Sequence, residues 1–115
     1  MATGHTITTS PAGRHIEISL NGVKLAESDQ AVRLQETGIQ DRCYLPLQDV
    51  RTEYLRPTGT RTTCPFKGEA SYWSVDLDGE VYPDLVWSYA DPIPAAADIA
   101  GLVCFYAEHV DQKVS

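Results

Sequence analysis

Ile16, Ile18 and Leu20 alternate with Glu17 and Ser19, and Asn21-Gly22 follows at once. Alternation of period two marks a strand with one buried face. Asn-Gly between two such runs is the strongest short-range signal for a two-residue hairpin turn. Across that turn Leu20 faces Val23 and Ile18 faces Leu25, so the apolar residues meet on one face. Turn chemistry and register therefore agree, and a one-residue slip would move the whole apolar set to solvent. This hairpin commits the chain to antiparallel sheet.

Short extended runs separated by turn residues recur downstream. Strands are expected at 31–35, 42–45, 51–56, 69–76, 80–82, 85–89, 102–106 and 110–114. Gly38, Pro57-Thr58-Gly59 and Asp78-Gly79 supply turns between them. Pro83 should end or edge its strand. Leu47 and Val50 are spaced for a single helical turn. The only short helix expected lies near 95–100, opened by Pro94 and closed by Gly101. Residues 1–13 carry Thr, Ser, Gly and Pro without periodicity and read as a loose tail before one β-rich domain at 14–115. The expected fold is mainly β, a compact single domain of short antiparallel strands.

A chain of 115 residues is the size of one domain. The formal net charge of −7 argues against a nucleic-acid polymer as partner, which calls for a basic surface. A small anionic ligand needs only one Lys or Arg. No segment reaches the roughly 20 apolar residues that span a bilayer, and the polar N-terminus lacks the apolar core of a signal peptide. A cytoplasmic location and no membrane partner are the expectations. Cys43, Cys64 and Cys104 are widely spaced and odd in number, as free thiols in a reducing compartment would be.

The densest chemistry lies at 62–75, reading T-T-C-P-F-K-G-E-A-S-Y-W-S-V. Pro65 pushes Cys64 toward extended backbone, and Phe66-Lys67-Gly68 reads as a turn that feeds a strand. Cys64 and Lys67 would then stand at the mouth of a turn, where functional side chains gather. Cys64 is the best nucleophile candidate, since a nearby lysine favours the thiolate. His5, His15 and His109 all lie far from it in sequence, so a Cys–His pair could arise only through folding. Tyr72, Trp73, Trp87 and Tyr89, with Tyr106, have the composition of a small-molecule cleft with Lys67 and Cys64 at its rim. They have equally the composition of a small β core. Cys43 and Cys104 read as buried, inert thiols.

Metal signals are weak, for there is no C-x-x-C and no paired histidine. Asp76-Leu77-Asp78-Gly79-Glu80 resembles the start of a calcium loop, but Val81 and Trp87 stand where that loop needs Gly and Glu. Asp76 and Asp78 share a strand face, as a two-metal nucleotidyl-transfer site requires, although the Asp78-Gly79 turn accounts for the pair more simply. Asp91 before Pro92 starts a turn or brings a carboxylate to the cleft. No nucleotide or dinucleotide phosphate-loop motif occurs. No metal and no cofactor are implied.

Cys64-Pro65-Phe66-Lys67-Gly68, with Ala70, Tyr72 and Trp73, resembles the signature of an uncharacterised bacterial family, domain of unknown function 427. Trp87-Ser88-Tyr89, Pro92, Ile99-Ala100-Gly101 and Phe105-Tyr106 fit the same pattern, so the resemblance runs over roughly 16–114. It implies a compact, mainly β domain of the β-tent type, and it carries a label of nucleotidyltransferase-like. Three functions follow as expectations. The first is small-molecule binding by Cys64, Lys67, Tyr72, Trp73, Trp87 and Tyr89, with catalysis left open and Cys64 and Lys67 as its candidates. The second is nucleotidyl transfer with Asp76, Asp78 or Asp91 around a metal. The third is a protein-interaction module.

Overall fold

The structure is a computed structural model that describes residues 6–115. Ten strands run in order: β1 (Ile7–Pro11), β2 (Ile16–Leu20), β3 (Val23–Ser28), β4 (Val32–Glu36), β5 (Ile39–Tyr44), β6 (Leu55–Cys64), β7 (Gly68–Leu77), β8 (Glu80–Ser88), β9 (Val103–Phe105) and β10 (Asp111–Val114). They form three antiparallel sheets with orders β1-β4-β5, β10-β2-β3 and β6-β7-β8-β9. Helical structure among the described residues is confined to short 3₁₀ segments at Leu47–Asp49, Thr52–Tyr54 and Pro94–Ile99. The mainly β reading holds, and the expected helix is a 3₁₀ segment interrupted at Ala96. No helix of the described residues is long and apolar enough to cross a membrane.

The opening hairpin forms, with Asn21 and Gly22 both at positive φ. Its register differs from the expectation in one respect. Leu20 faces Val23, but Ile18 pairs with Ala26 because a bulge lies between Ile18 and Ser19. The extra residue turns two neighbours inward, and Leu25 and Ala26 are both buried. The expected loose tail also needs correction. Ile7–Pro11 is a strand paired with β4, while residues 1–5 of that stretch, with His5, lie outside the described residues. Thr and Ile favour extended backbone whether or not they alternate, and Thr9 anchors the strand by donating to Asp98 Oδ2 at 2.7 Å.

Two expected breaks are bulges instead. Pro57-Thr58-Gly59 lies inside β6, where the pairing with β7 shifts between Pro57 and Arg61. Pro83 lies inside β8, and Asp84 beside it takes a φ of 50°. One polar knot joins them: Thr58 and Thr60 each donate a hydroxyl to the Asp84 carboxylate at 2.7 Å, and the Asp84 amide donates to Ser74 Oγ at 3.1 Å. The hydrogen bonds hold a backbone conformation that an L-residue otherwise avoids.

The four-stranded sheet feeds two cores. Val75, Val86, Val103 and Phe105 join Ile16, Ile18 and Leu25 in an aliphatic cluster under the hairpin sheet. Ala70, Trp87, Tyr89 and Cys104 join Leu34 and Tyr44 in an aromatic cluster under the β1-β4-β5 sheet. Neighbours such as Val86 and Trp87 go to different cores, as the period of a strand dictates.

Candidate functional site

The turn that carries Cys64 and Lys67 is closed by the Lys67 amide donating to Cys64 O at 3.1 Å. Ile93 N then donates to Lys67 O at 2.9 Å, so the turn lies against the Asp91-Pro92-Ile93 segment. Gly68 at φ 121° permits this approach, since a Cβ there would stand 3.3 Å from Pro92 Cα. This is the physical reason for glycine after Lys67. The turn and the following strand bring Cys64, Lys67, Tyr72, Trp87 and Tyr89 to one region. Cys64 and Tyr72 are half-buried against the aromatic cluster, and Trp87 and Tyr89 are part of it.

Trp73 is placed elsewhere. It is the strand neighbour of Tyr72 and packs against the aliphatic cluster on the opposite face. Of the six residues singled out in the sequence, five share a face and Trp73 does not.

Lys67 is not a free cation at a rim. It is buried, and its Nζ donates to Glu36 Oε1 at 2.6 Å, with the Glu36 side chain only 2% exposed. The ammonium also lies 5.8 Å from the centre of the Tyr89 ring. A charge removed from water is tolerated only when it is paired and hydrogen-bonded, and Glu36 fulfils that condition. The sequence held a signal for it. Val32, Leu34 and Glu36 alternate on one strand, so a carboxylate follows two apolar residues on the inward face.

Toward the surface the face gains two residues the sequence reading did not single out, Arg42 and Glu108. Arg42 lies over the rings of Trp87 and Tyr106, with its guanidinium 5.4 and 5.8 Å from their centres. It donates to both carboxylate oxygens of Glu108, at 2.9 and 3.2 Å. Trp87 and Tyr106 rings touch at 4.5 Å between centres, and Trp87 Nε1 donates to Tyr44 Oη at 3.1 Å. Tyr72 Oη and Thr62 Oγ1 share a hydrogen bond of 2.8 Å.

Three of the phenols here, Tyr44, Tyr89 and Tyr106, stay protonated at neutral pH. Burial pushes Tyr44 and Tyr89 well above the ordinary phenol range, and pushes Tyr106 up as well. Burial likewise pushes the Cys104 thiol far up, and the Cys43 thiol up with partial relief from Arg33. Both are protonated thiols at neutral pH, in keeping with a packing role. The region offers flat apolar surface, hydroxyls and one surface guanidinium.

Of the carboxylates considered for metal binding, Asp76 has local partners. Asp76 accepts from Gly79 N at 2.8 Å and lies 3.7 Å from Arg56 Nε, which makes it the cap of its turn. Asp78 sits in that turn at φ 53°. Among the described residues, the one grouping of three potential metal-ligating side chains is His15, Glu17 and Glu27, on the hairpin. Lys24 also reaches both of these glutamates there, at 3.8 and 2.9 Å.

A comparison with curated proteins found no match. Residues 8–115 match the model of a family described as a domain of unknown function (DUF427), nearly the whole chain, and the protein belongs to that family.

Proposed function

We propose that this domain binds a small planar molecule on the aromatic face of its four-stranded sheet. The observation that carries the reading is Arg42 held over Trp87 and Tyr106, with its fork filled by Glu108, itself about half exposed. A ligand carboxylate or phosphate has the geometry to take the place of Glu108 in that fork. A flat body would then lie along Tyr72 and Tyr106, with Cys64 at its rim. Trp87 and Tyr89 form the floor, and the Lys67–Glu36 pair fixes that floor from below. Trp73 has no part in this site.

Two tryptophans make the test simple, because Trp73→Phe leaves Trp87 as the sole tryptophan, excited selectively at the red edge of the absorption band. AMP, ATP with and without magnesium, and benzoate are the probes. The reading expects saturable quenching of Trp87 by at least one of them, weakened roughly tenfold by Tyr72→Ala in a domain that still melts cooperatively. No quenching and no thermal shift across the panel overturns it. Magnesium-dependent turnover of ATP would replace it with nucleotidyl transfer involving Asp76, Asp78 or Asp91. A mass that grows with protein concentration would favour an interaction module instead.

A further inference from the structure

A concavity of about 460 Å³ is lined by Ala12, Arg14, Ile16, Arg33, Cys43 and Val114, none of which belongs to the aromatic face. Its walls follow from strand register. Arg33 and Cys43 are directly opposed in the β4–β5 pairing, and Ile16 and Val114 are directly opposed in the β10–β2 pairing. Ala12 and Arg14 come from the connection between β1 and β2. Two sheets therefore contribute one cross-strand pair each, and the connecting segment closes the space between them. Its volume falls in the range of small-ligand sites, roughly 300–1,000 Å³.

The lining has two parts. Ala12, Ile16 and Val114 are apolar, and Cys43 adds a half-buried sulfur. Arg14 and Arg33 bring two guanidinium groups to the same space in a chain whose formal net charge is −7. Three other cations of the molecule are closely matched. Lys67, Arg42 and Lys24 stand 2.6, 2.9 and 2.9 Å from their nearest carboxylate oxygens. Arg33 is held only loosely, with its Nε 3.9 Å from Asp41 Oδ2 and both side chains about half exposed. Arg14 makes no ion pair among the described residues, and neither do Arg51, Arg61 and Lys113. Arg14 and Arg33 differ from these in lining one concavity. Guanidinium forks match the oxygens of carboxylates and phosphates, and they are more easily desolvated than ammonium groups.

We propose that this cleft binds a small oxyanion with an apolar body, its phosphate or carboxylate held between Arg14 and Arg33 and its body laid on Ala12 and Val114. The site is independent of the aromatic face, because the two share no residue. An anion meets less competition here than at Lys67, where the Glu36 carboxylate is already seated.

Amide NMR of the full chain at low salt tests this, with phenyl phosphate, benzoate and neutral benzyl alcohol as probes. Saturable shifts in the millimolar range are expected at Ala12, Arg14, Ile16, Arg33, Cys43 and Val114 with the anions and not with the alcohol. Tighter binding of phenyl phosphate or of benzoate decides which head group is preferred, and either result supports the site. Arg14→Gln and Arg33→Gln, shown to be folded by their own spectra, should each weaken binding roughly tenfold or more. Alkylation of Cys43 should slow when the anion is bound while that of Cys64 is unchanged. The proposal is overturned if no anion gives saturable shifts there, or if benzyl alcohol binds equally well. It also fails if both arginine variants bind as the wild type does, or if the shifts fall on Cys64 and Tyr72, an outcome that would point to the aromatic face.

Discussion

The two faces of the four-stranded sheet are packed on different principles. On one side Ile16, Ile18, Leu25, Val75, Val86 and Phe105 form an aliphatic core in which, among the described residues, the one buried ring is that of Phe105. On the other, Tyr44, Trp87, Tyr89 and Cys104 pack beside a buried ion pair. Aliphatic burial is non-directional and scales with the area removed from water. The aromatic side is directional, because each buried polar atom must find its partner. Trp87 donates to Tyr44 and Lys67 to Glu36. No buried side-chain nitrogen or oxygen among the described residues lacks a partner. One sheet therefore separates a face that is sensitive to volume from a face that is sensitive to partners.

The sharpest way to break that contrast is Lys67→Ala. It takes the ammonium away from the buried Glu36 carboxylate, and the expected loss is about 3–5 kcal/mol by urea or guanidinium denaturation. Removing both charges together, as Lys67→Met with Glu36→Gln, should recover part of that loss, since no uncompensated charge is then left buried. If the double variant is no better than Lys67→Ala, the pair is not what makes this face partner-sensitive.

A matched pair of smaller changes sharpens the comparison. Trp87→Phe keeps an aromatic ring but takes the donor from Tyr44 Oη, and should cost about 1–3 kcal/mol. Ile18→Val on the aliphatic face removes one methyl and no polar contact, and should cost about 0.5–1.5 kcal/mol. Equal losses, or a larger loss at Ile18, would mean that volume rules both faces.

How far this division could be read in advance depends on the range of each interaction. The Asn21-Gly22 and Asp78-Gly79 turns were legible because their chemistry is confined to adjacent residues, and both form. The opposite placement of Tyr72 and Trp73 was legible too, since neighbours on a strand cannot share a face; gathering both into one cleft set that rule aside. Bulges were not legible. The turned backbone at Asp84 depends on partners 58, 60 and 74, which only tertiary pairing brings near, and the extra residue at Leu25 interrupts a hairpin whose turn is regular. The Lys67–Glu36 pair spans two sheets for the same reason, although Glu36 on an apolar strand face signalled that some partner must exist. Tyr106 was legible as a cleft aromatic, but Arg42 and Glu108 escaped notice because nothing local ties a basic residue of β5 to the segment after β9.

The smallest expected effect lies outside both cores, at the hairpin edge. His15 Nδ1 is 2.5 Å from Asp29 Oδ1, and its Nε2 is 2.7 Å from Glu27 Oε2. A neutral imidazole can donate from only one nitrogen, so the other would face a carboxylate without a proton between them. The geometry is that of the imidazolium, and the hydrogen bonds to Asp29 and then Glu27 raise its pKa above the ordinary value of about 6.5. A raised folded-state pKa gives stability that is complete below the unfolded value and is lost as pH climbs through the folded one. The wild type should therefore lose melting temperature between pH 6 and pH 9 by more than His15→Asn does, with a small difference because the site is solvent-exposed and screened. Added salt should shrink that difference further, which neither core should do for Ile18→Val or Trp87→Phe. Identical pH slopes for wild type and His15→Asn would mean that the two carboxylates do not bias the imidazole, and that the hairpin edge contributes no titration of its own to the stability of the fold.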